Sequence, residues 1–163
     1  MEKQVLLIED EPNIIEAISF ILSRDGWVVK THSNGHDAMD VVRARAPDLV
    51  ILDVMLPGRS GFDILTDIRA DADLAETPVL MLTARGQRKD REMAEQAGAS
   101  HYMTKPFSNA EVLDVVRNLV RALALTVTLI LRVRDRAAPS LLNVAPIGEG
   151  GWRMLRVCYP FSV

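Results

Sequence analysis

The sequence predicts an α/β protein built on a doubly wound, five-stranded parallel sheet. Three observations lead there. Short apolar runs alternate with segments of helical period five times over residues 1–124. Two of the runs, Leu49–Leu52 and Val79–Leu82, are apolar without a break, as strands are when helices cover both faces of their sheet. Strand–helix alternation of this kind implies parallel strands joined by right-handed crossovers.

Val5-Leu6-Leu7-Ile8 reads as the first, buried strand. Ile14, Ile15, Ile18, Ile21 and Leu22 share one helical face, and Pro12 suits the first helical position. Gly26 ends that helix, and Trp27-Val28-Val29 is the second strand. After Asn34-Gly35, the residues Ala38, Val41, Val42 and Ala46 mark the second helix. Leu49–Leu52 is the third strand, Pro57–Gly61 a loop, and Phe62, Leu65 and Ile68 carry the third helix. Val79–Leu82 is the fourth strand. Residues 88–97 form a polar helix closed by Gly98, and Ser100–Thr104 a short fifth strand. Ser108 with Glu111 three residues later is a capping box. It opens a fifth helix with Val112, Val115, Val116, Leu119 and Leu123 on one face.

Composition narrows the function. One cysteine excludes an internal disulfide framework and a multi-cysteine zinc site. The N-terminal apolar run of four residues is too short for a signal peptide, and the ten residues Ala122–Leu131 are too few to span a bilayer. The expectation is a cytoplasmic protein without a membrane span. Residues 1–121 hold 14 Lys and Arg against 20 Asp and Glu; residues 122–163 hold 5 Arg against 2 acids. The first part is therefore not an obvious nucleic-acid binder by charge, and five arginines in the second are weak evidence for one.

In sheets of this kind ligands bind beyond the carboxyl ends of the strands. The residues expected there are Glu9, Asp10, Asp53, Thr83 and Lys105. Clustered carboxylates repel one another unless neutralised, and a hard divalent cation such as Mg²⁺ suits them. A metal, a lysine and a hydroxyl around one carboxylate make a cradle for a phosphoryl group. Asp53, on the central strand, is the natural acceptor. Singly, an aspartate after a strand is usually a cap, and an acidic pair before a helix complements its dipole. Four such residues at four strand ends are hard to explain by capping. His32, His36 and His101 lack metal-site spacing and read as solvated or turn residues.

The stretches VLLIEDEP (5–12), DLVILDVMLPGRSGFDIL (48–65), PVLMLTA (78–84) and AGASHYMTKPF (97–107) resemble the receiver domain of bacterial two-component response regulators. The resemblance implies a flavodoxin-like (βα)5 receiver over residues 1–122, with a C-terminal extension over 123–163. It implies that Asp53 is phosphorylated by a sensor histidine kinase or phosphotransfer protein. Asp10, Asp53 and the backbone carbonyl of Met55 would hold Mg²⁺, with Glu9 the second acidic residue, reaching it through water. Lys105 would pair with the phosphoryl oxygens, Thr83 would be the switch hydroxyl and Tyr102 the aromatic that reorients with it. Lys105-Pro106 would be a cis peptide. Met55 and Arg85 would flank the path of the hydrolytic water. The fourth helix, fifth strand and fifth helix would meet a downstream protein target or a second copy, with Arg91 and Glu111 as a cross-dimer pair.

Two rivals compete. An aspartyl phosphohydrolase would use an acid–base aspartate where this chain has Met55. A pseudo-receiver, which only binds partners, would not need Asp10, Asp53, Thr83 and Lys105 intact. A transcription regulator with a truncated output region is a further alternative, since residues 125–163 are too few for the usual winged-helix module. In the tail, Val127, Leu129, Leu131 and Val133 alternate as in a strand, though the same run would also prolong the fifth helix for a turn or two. Ala137–Ser140 and Gly148–Gly151 read as breaks, Trp152–Phe161 as a second strand, and Cys158 as an incidental thiol.

Overall fold

A computed structural model describes residues 3–84 and 88–136 of the chain. The strands are β1 (Gln4–Ile8), β2 (Val28–His32), β3 (Leu49–Asp53), β4 (Val79–Thr83) and β5 (His101–Thr104). The helices are α1 (Pro12–Arg24), α2 (Ala38–Arg45), α3 (Gly61–Ala70), α4 (Arg88–Gln96) and α5 (Asn109–Arg136). All strand pairs are parallel, in the order β2-β1-β3-β4-β5. Strand order reverses between β1 and β3, and that switch point opens a crevice beyond the strands' carboxyl ends.

The sheet is covered on both faces because its strands alternate between two apolar clusters. Leu6, Ile8, Val50, Leu52, Val79 and Met81 face one way, against Ala38, Met39 and Val42 of α2 and Ile64, Leu65 and Ile68 of α3. Val5, Leu7, Leu49, Ile51, Leu80 and Leu82 face the other, against Ile18, Ile21 and Leu22 of α1 and Val112 and Val116 of α5. Most of these side chains are fully buried, which stabilises the fold by about 1.5–3 kcal/mol for each large aliphatic one. The second helix stops where Ala46 turns left-handed, with φ at 41°. The capping box forms: the Ser108 N–H donates to Glu111 Oε2 (2.6 Å) and the Glu111 N–H to Ser108 Oγ (3.2 Å).

One boundary differs from expectation. Trp27 precedes β2 instead of opening it; its N–H donates to the Leu22 carbonyl at the end of α1, and the strand runs on to His32. Of the two readings left open for residues 126–134, the helical one holds, and α5 continues to Arg136. No glycine or proline interrupts residues 109–136, and extending an existing helix adds a hydrogen bond per residue, whereas a lone strand would need a partner. The chain divides into two compact units, Met1–Val127 and Thr128–Val163. The described part of the second unit is helical. The expected breaks at 137–140 and 148–151, the strand at 152–161 and Cys158 lie outside the described residues, as does Arg85. Among the described residues, no helix is long and apolar enough to cross a membrane.

Candidate functional site

The parallel register brings distant acids together. Ile8 pairs with Leu52, so Glu9 and Asp10 leave β1 beside Asp53, the last residue of β3. One carboxylate oxygen from each of Glu9, Asp10 and Asp53 falls within 4.8 Å of the others. Glu9 and Asp53 are buried and Asp10 is exposed. Glu9 Oε1 accepts from the backbone N–H groups of Asp10 (3.1 Å) and Glu11 (3.2 Å), which fixes it beneath the turn.

Lys105 enters from β5. Its backbone N–H donates to the Thr83 carbonyl (2.7 Å), and the Lys105-Pro106 peptide is cis. Its ammonium lies 2.8 Å from Glu9 Oε2, 2.8 Å from Glu11 Oε1 and 3.3 Å from Asp53 Oδ2. Burial alone pulls the Lys105 ammonium down, but the hydrogen bond to Glu11, the close Glu9 carboxylate and the charge of Asp53 outweigh it and hold it above the ordinary lysine range. Burial pushes the Glu9 carboxyl up; Lys105 opposes this and the charge of Asp53 adds to it. The other Asp53 oxygen, Oδ1, is buried and accepts no hydrogen bond.

A single ammonium thus faces three carboxylates, with a fourth, Asp10, nearby. An unpartnered buried carboxylate oxygen beside further acids leaves a strongly negative pocket. The donor set is all oxygen, which suits Mg²⁺. Glu9, Asp10 and Asp53 therefore fit a hard divalent cation.

The remaining residues fall around this centre. Thr83, buried, ends β4 next to Thr104 in register. Tyr102, half-buried, packs against the Leu6–Ile8 face of the core and lines a groove of about 390 Å³ with Thr104, Pro106, Phe107, Glu111 and Val115. Met55 is 59% exposed on the loop after Asp53. That loop is held tightly. The Gly61 N–H donates to the Val54 carbonyl (3.0 Å), and a Cβ on Gly61 would strike the Asp53 carbonyl oxygen. Arg91 is paired with Glu95 within α4 (3.0 Å), and Glu111 is bonded to Ser108. His32 Nε2 pairs with Asp37 (2.8 Å), and His36 and His101 are exposed, away from the acidic cluster.

One residue escaped the sequence reading. Glu11 stands as close to Lys105 as Glu9 does, across a separation of 94 residues. The signal was present as a third acid in the run Glu9-Asp10-Glu11, directly before Pro12.

Comparison with known proteins agrees with this geometry. Residues 5–117 match the family model of the response regulator receiver domain. The chain is 35% identical over 159 residues to a probable transcriptional regulatory protein, TcrX, of Mycobacterium tuberculosis; the match covers 98% of this chain and 64% of that one. It thus spans a little under two thirds of that relative's length. The chemotaxis response regulator CheY4 of Vibrio cholerae superposes with a TM-score of 0.69 at 26% identity, over 73% of this chain and 99% of that one. The receiver domain of a Pseudomonas aeruginosa sensor histidine kinase, described with a magnesium ion coordinated in its active-site cleft, superposes at 0.68 with 29% identity, over 74% and 98%. On its sequence, its fold and the extent of these matches, the chain belongs to the response regulator receiver family.

Proposed function

We propose that the chain is the phosphoacceptor of a two-component phosphorelay, with residues 1–122 as the receiver and 123–163 as an extension of it. A sensor histidine kinase or phosphotransfer protein presents a phosphohistidine in the cytoplasm, and an Asp53 carboxylate oxygen attacks its phosphorus. The new P–O bond forms as the P–N bond breaks, and the imidazole nitrogen keeps the electron pair. The observation that carries this reading is the environment of Asp53: one oxygen 3.3 Å from the Lys105 ammonium, the other buried without a partner beside Asp10 and Glu9. Asp10, Asp53 and the Met55 backbone carbonyl would hold Mg²⁺, with Glu9 reaching it through water, and the ion supplies the charge that neutralises the phosphoryl oxygens.

The chain's own groups do the rest. Lys105 pairs with a phosphoryl oxygen. The Thr83 hydroxyl donates to another, and its movement leaves space for the Tyr102 ring. Phosphorylation adds roughly −1.5 to −2 charge, enough to bias such a two-state element. The surface of α4, β5 and α5 then engages a downstream protein, or a second copy of the chain. This is a signalling role, with self-phosphorylation from small donors and slow self-dephosphorylation.

Met55 argues against a phosphohydrolase, because a thioether neither donates nor accepts a proton in acid–base chemistry. The intact acids and Lys105 argue against a pseudo-receiver. Acetyl phosphate with Mg²⁺, followed by intact-mass measurement, separates the three: a receiver holds one labile phosphoryl group, a phosphohydrolase turns the donor over, and a pseudo-receiver stays unmodified. The similarity to a longer transcriptional regulator, extending past the receiver, supports a second reading: a transcription regulator with a short output region. Titration of labelled duplex DNA with the phosphorylated protein tests it; the first reading expects no binding.

A further inference from the structure

We propose that Glu11 is a positioning residue that holds Lys105 in a resting place and so restrains phosphoryl uptake; the inference rests on Asp53 being the acceptor. Glu11 Oε1 accepts from Lys105 Nζ at 2.8 Å, closer than Asp53 Oδ2 at 3.3 Å. Glu11 also occupies the N-cap position of α1 and makes no capping bond there, so its carboxylate is free to serve Lys105. The Glu11 backbone N–H meanwhile donates to Glu9 Oε1, so the same residue anchors the buried acid that faces Lys105 from the other side.

The competition is one of charge and direction. Lys105 Nζ donates to Glu11 Oε1 and to Asp53 Oδ2, and Glu9 Oε2 stands at 2.8 Å without a hydrogen bond. A phosphoryl group on Asp53 brings three further acceptor oxygens. For Lys105 to turn toward them, the pull of its nearer hydrogen-bonded partner must weaken. Glu9 is fully buried and fixed by two backbone N–H groups, whereas Glu11 is 59% exposed. Glu11 is therefore the partner that yields. Until it does, its charge both retains Lys105 and repels an anionic donor.

The test is the labelling rate by acetyl phosphate at saturating Mg²⁺, where an Asp53 oxygen takes the phosphoryl group and acetate leaves. Parent, Glu11→Gln, Glu11→Asp and Asp53→Asn proteins are followed by intact mass. Glutamine keeps the shape and removes the charge. Glu11→Gln should label about two- to fivefold faster than the parent at low ionic strength, the scale of a partly exposed charge pair. The ratio should fall toward one as salt is raised. Glu11→Asp, which keeps the charge, should stay within about twofold of the parent. Without any donor, the ¹⁵N signal of the Lys105 ammonium should move in Glu11→Gln, while the melting temperature stays, because no capping bond is lost. A parent that labels on Asp53 while Glu11→Gln labels at the same rate overturns the inference and leaves the acceptor reading standing. Glu11→Asp as fast as Glu11→Gln overturns it too, since charge would not be the cause. Failure of every variant to label overturns both.

Discussion

Replacing Gly61 with alanine should destabilise the fold and slow phosphoryl uptake together. A Cβ at this position would meet the Asp53 carbonyl oxygen well inside contact and stand 3.0 Å from the Asp53 carbonyl carbon and the Val54 Cα. These are backbone atoms at the end of β3, which is hydrogen-bonded to β1 on one side and β4 on the other. They cannot swing aside as a side chain would. Overpacking against such neighbours costs about 1–3 kcal/mol or more. Alanine recovers up to about 1 kcal/mol of helix propensity, and less at the first residue of α3. The net loss should be about 2 kcal/mol, which moves a urea midpoint by about 1 M at ordinary m-values. Any displacement of the Asp53 carbonyl also moves the acceptor carboxylate relative to Lys105, so labelling by acetyl phosphate should slow. An unchanged urea midpoint with unchanged labelling would refute the reasoning.

Arg69 donates to the carbonyls of Gly98 (2.8 Å), Ala75 (3.0 Å) and Thr77 (2.8 Å), tying the segment before β4 to the one before β5. Arg69→Met should lose about 2–4 kcal/mol in chemical unfolding, with Arg69→Lys in between, because one ammonium cannot span the fork; a lysine variant as stable as the parent would contradict this. Met55 is exposed beside the acceptor, and its thioether cannot orient a water, so Met55→Asn should shorten the phosphoryl lifetime in Mg²⁺ buffer. Equal decay of the two proteins would remove Met55 from the path of hydrolysis. The Arg117 guanidinium holds the Asp25 carboxyl below its usual range. A depressed carboxyl contributes stability above its unfolded pKa and loses it as pH falls through the folded value. Arg117→Met should therefore be less stable than the parent at neutral pH, and the gap should close on acidification below the usual carboxylate range; a gap independent of pH would point to lost packing instead.

The strands were legible because burial on both faces writes itself into β3 and β4 as unbroken apolar runs. The site residues were legible for a related reason: strand ends in a doubly wound sheet converge, so acids there declare themselves by position. The edge was harder. In β2, Lys30, Thr31 and His32 are not fully buried, and nothing in their polarity marks a strand; pairing with β1 makes it one. Trp27 looked like strand by its side chain, yet its backbone is claimed by the end of α1. Residues 126–134 carried a period of two, and the absence of a breaker decided for helix. Glu11 was missed because its contact with Lys105 joins residues 94 positions apart, and nothing local in an acid before a helix announces it.

The central claim is that Asp53 receives the phosphoryl group, and the most direct test is intact mass after acetyl phosphate and Mg²⁺ for the parent and for Asp53→Asn. Only a carboxylate forms the acyl phosphate, and an amide of the same shape leaves the fold in place. The parent should carry one phosphoryl group and a folded Asp53→Asn protein none. A folded Asp53→Asn protein that still takes up the group would place the acceptor elsewhere and contradict the role of Asp53.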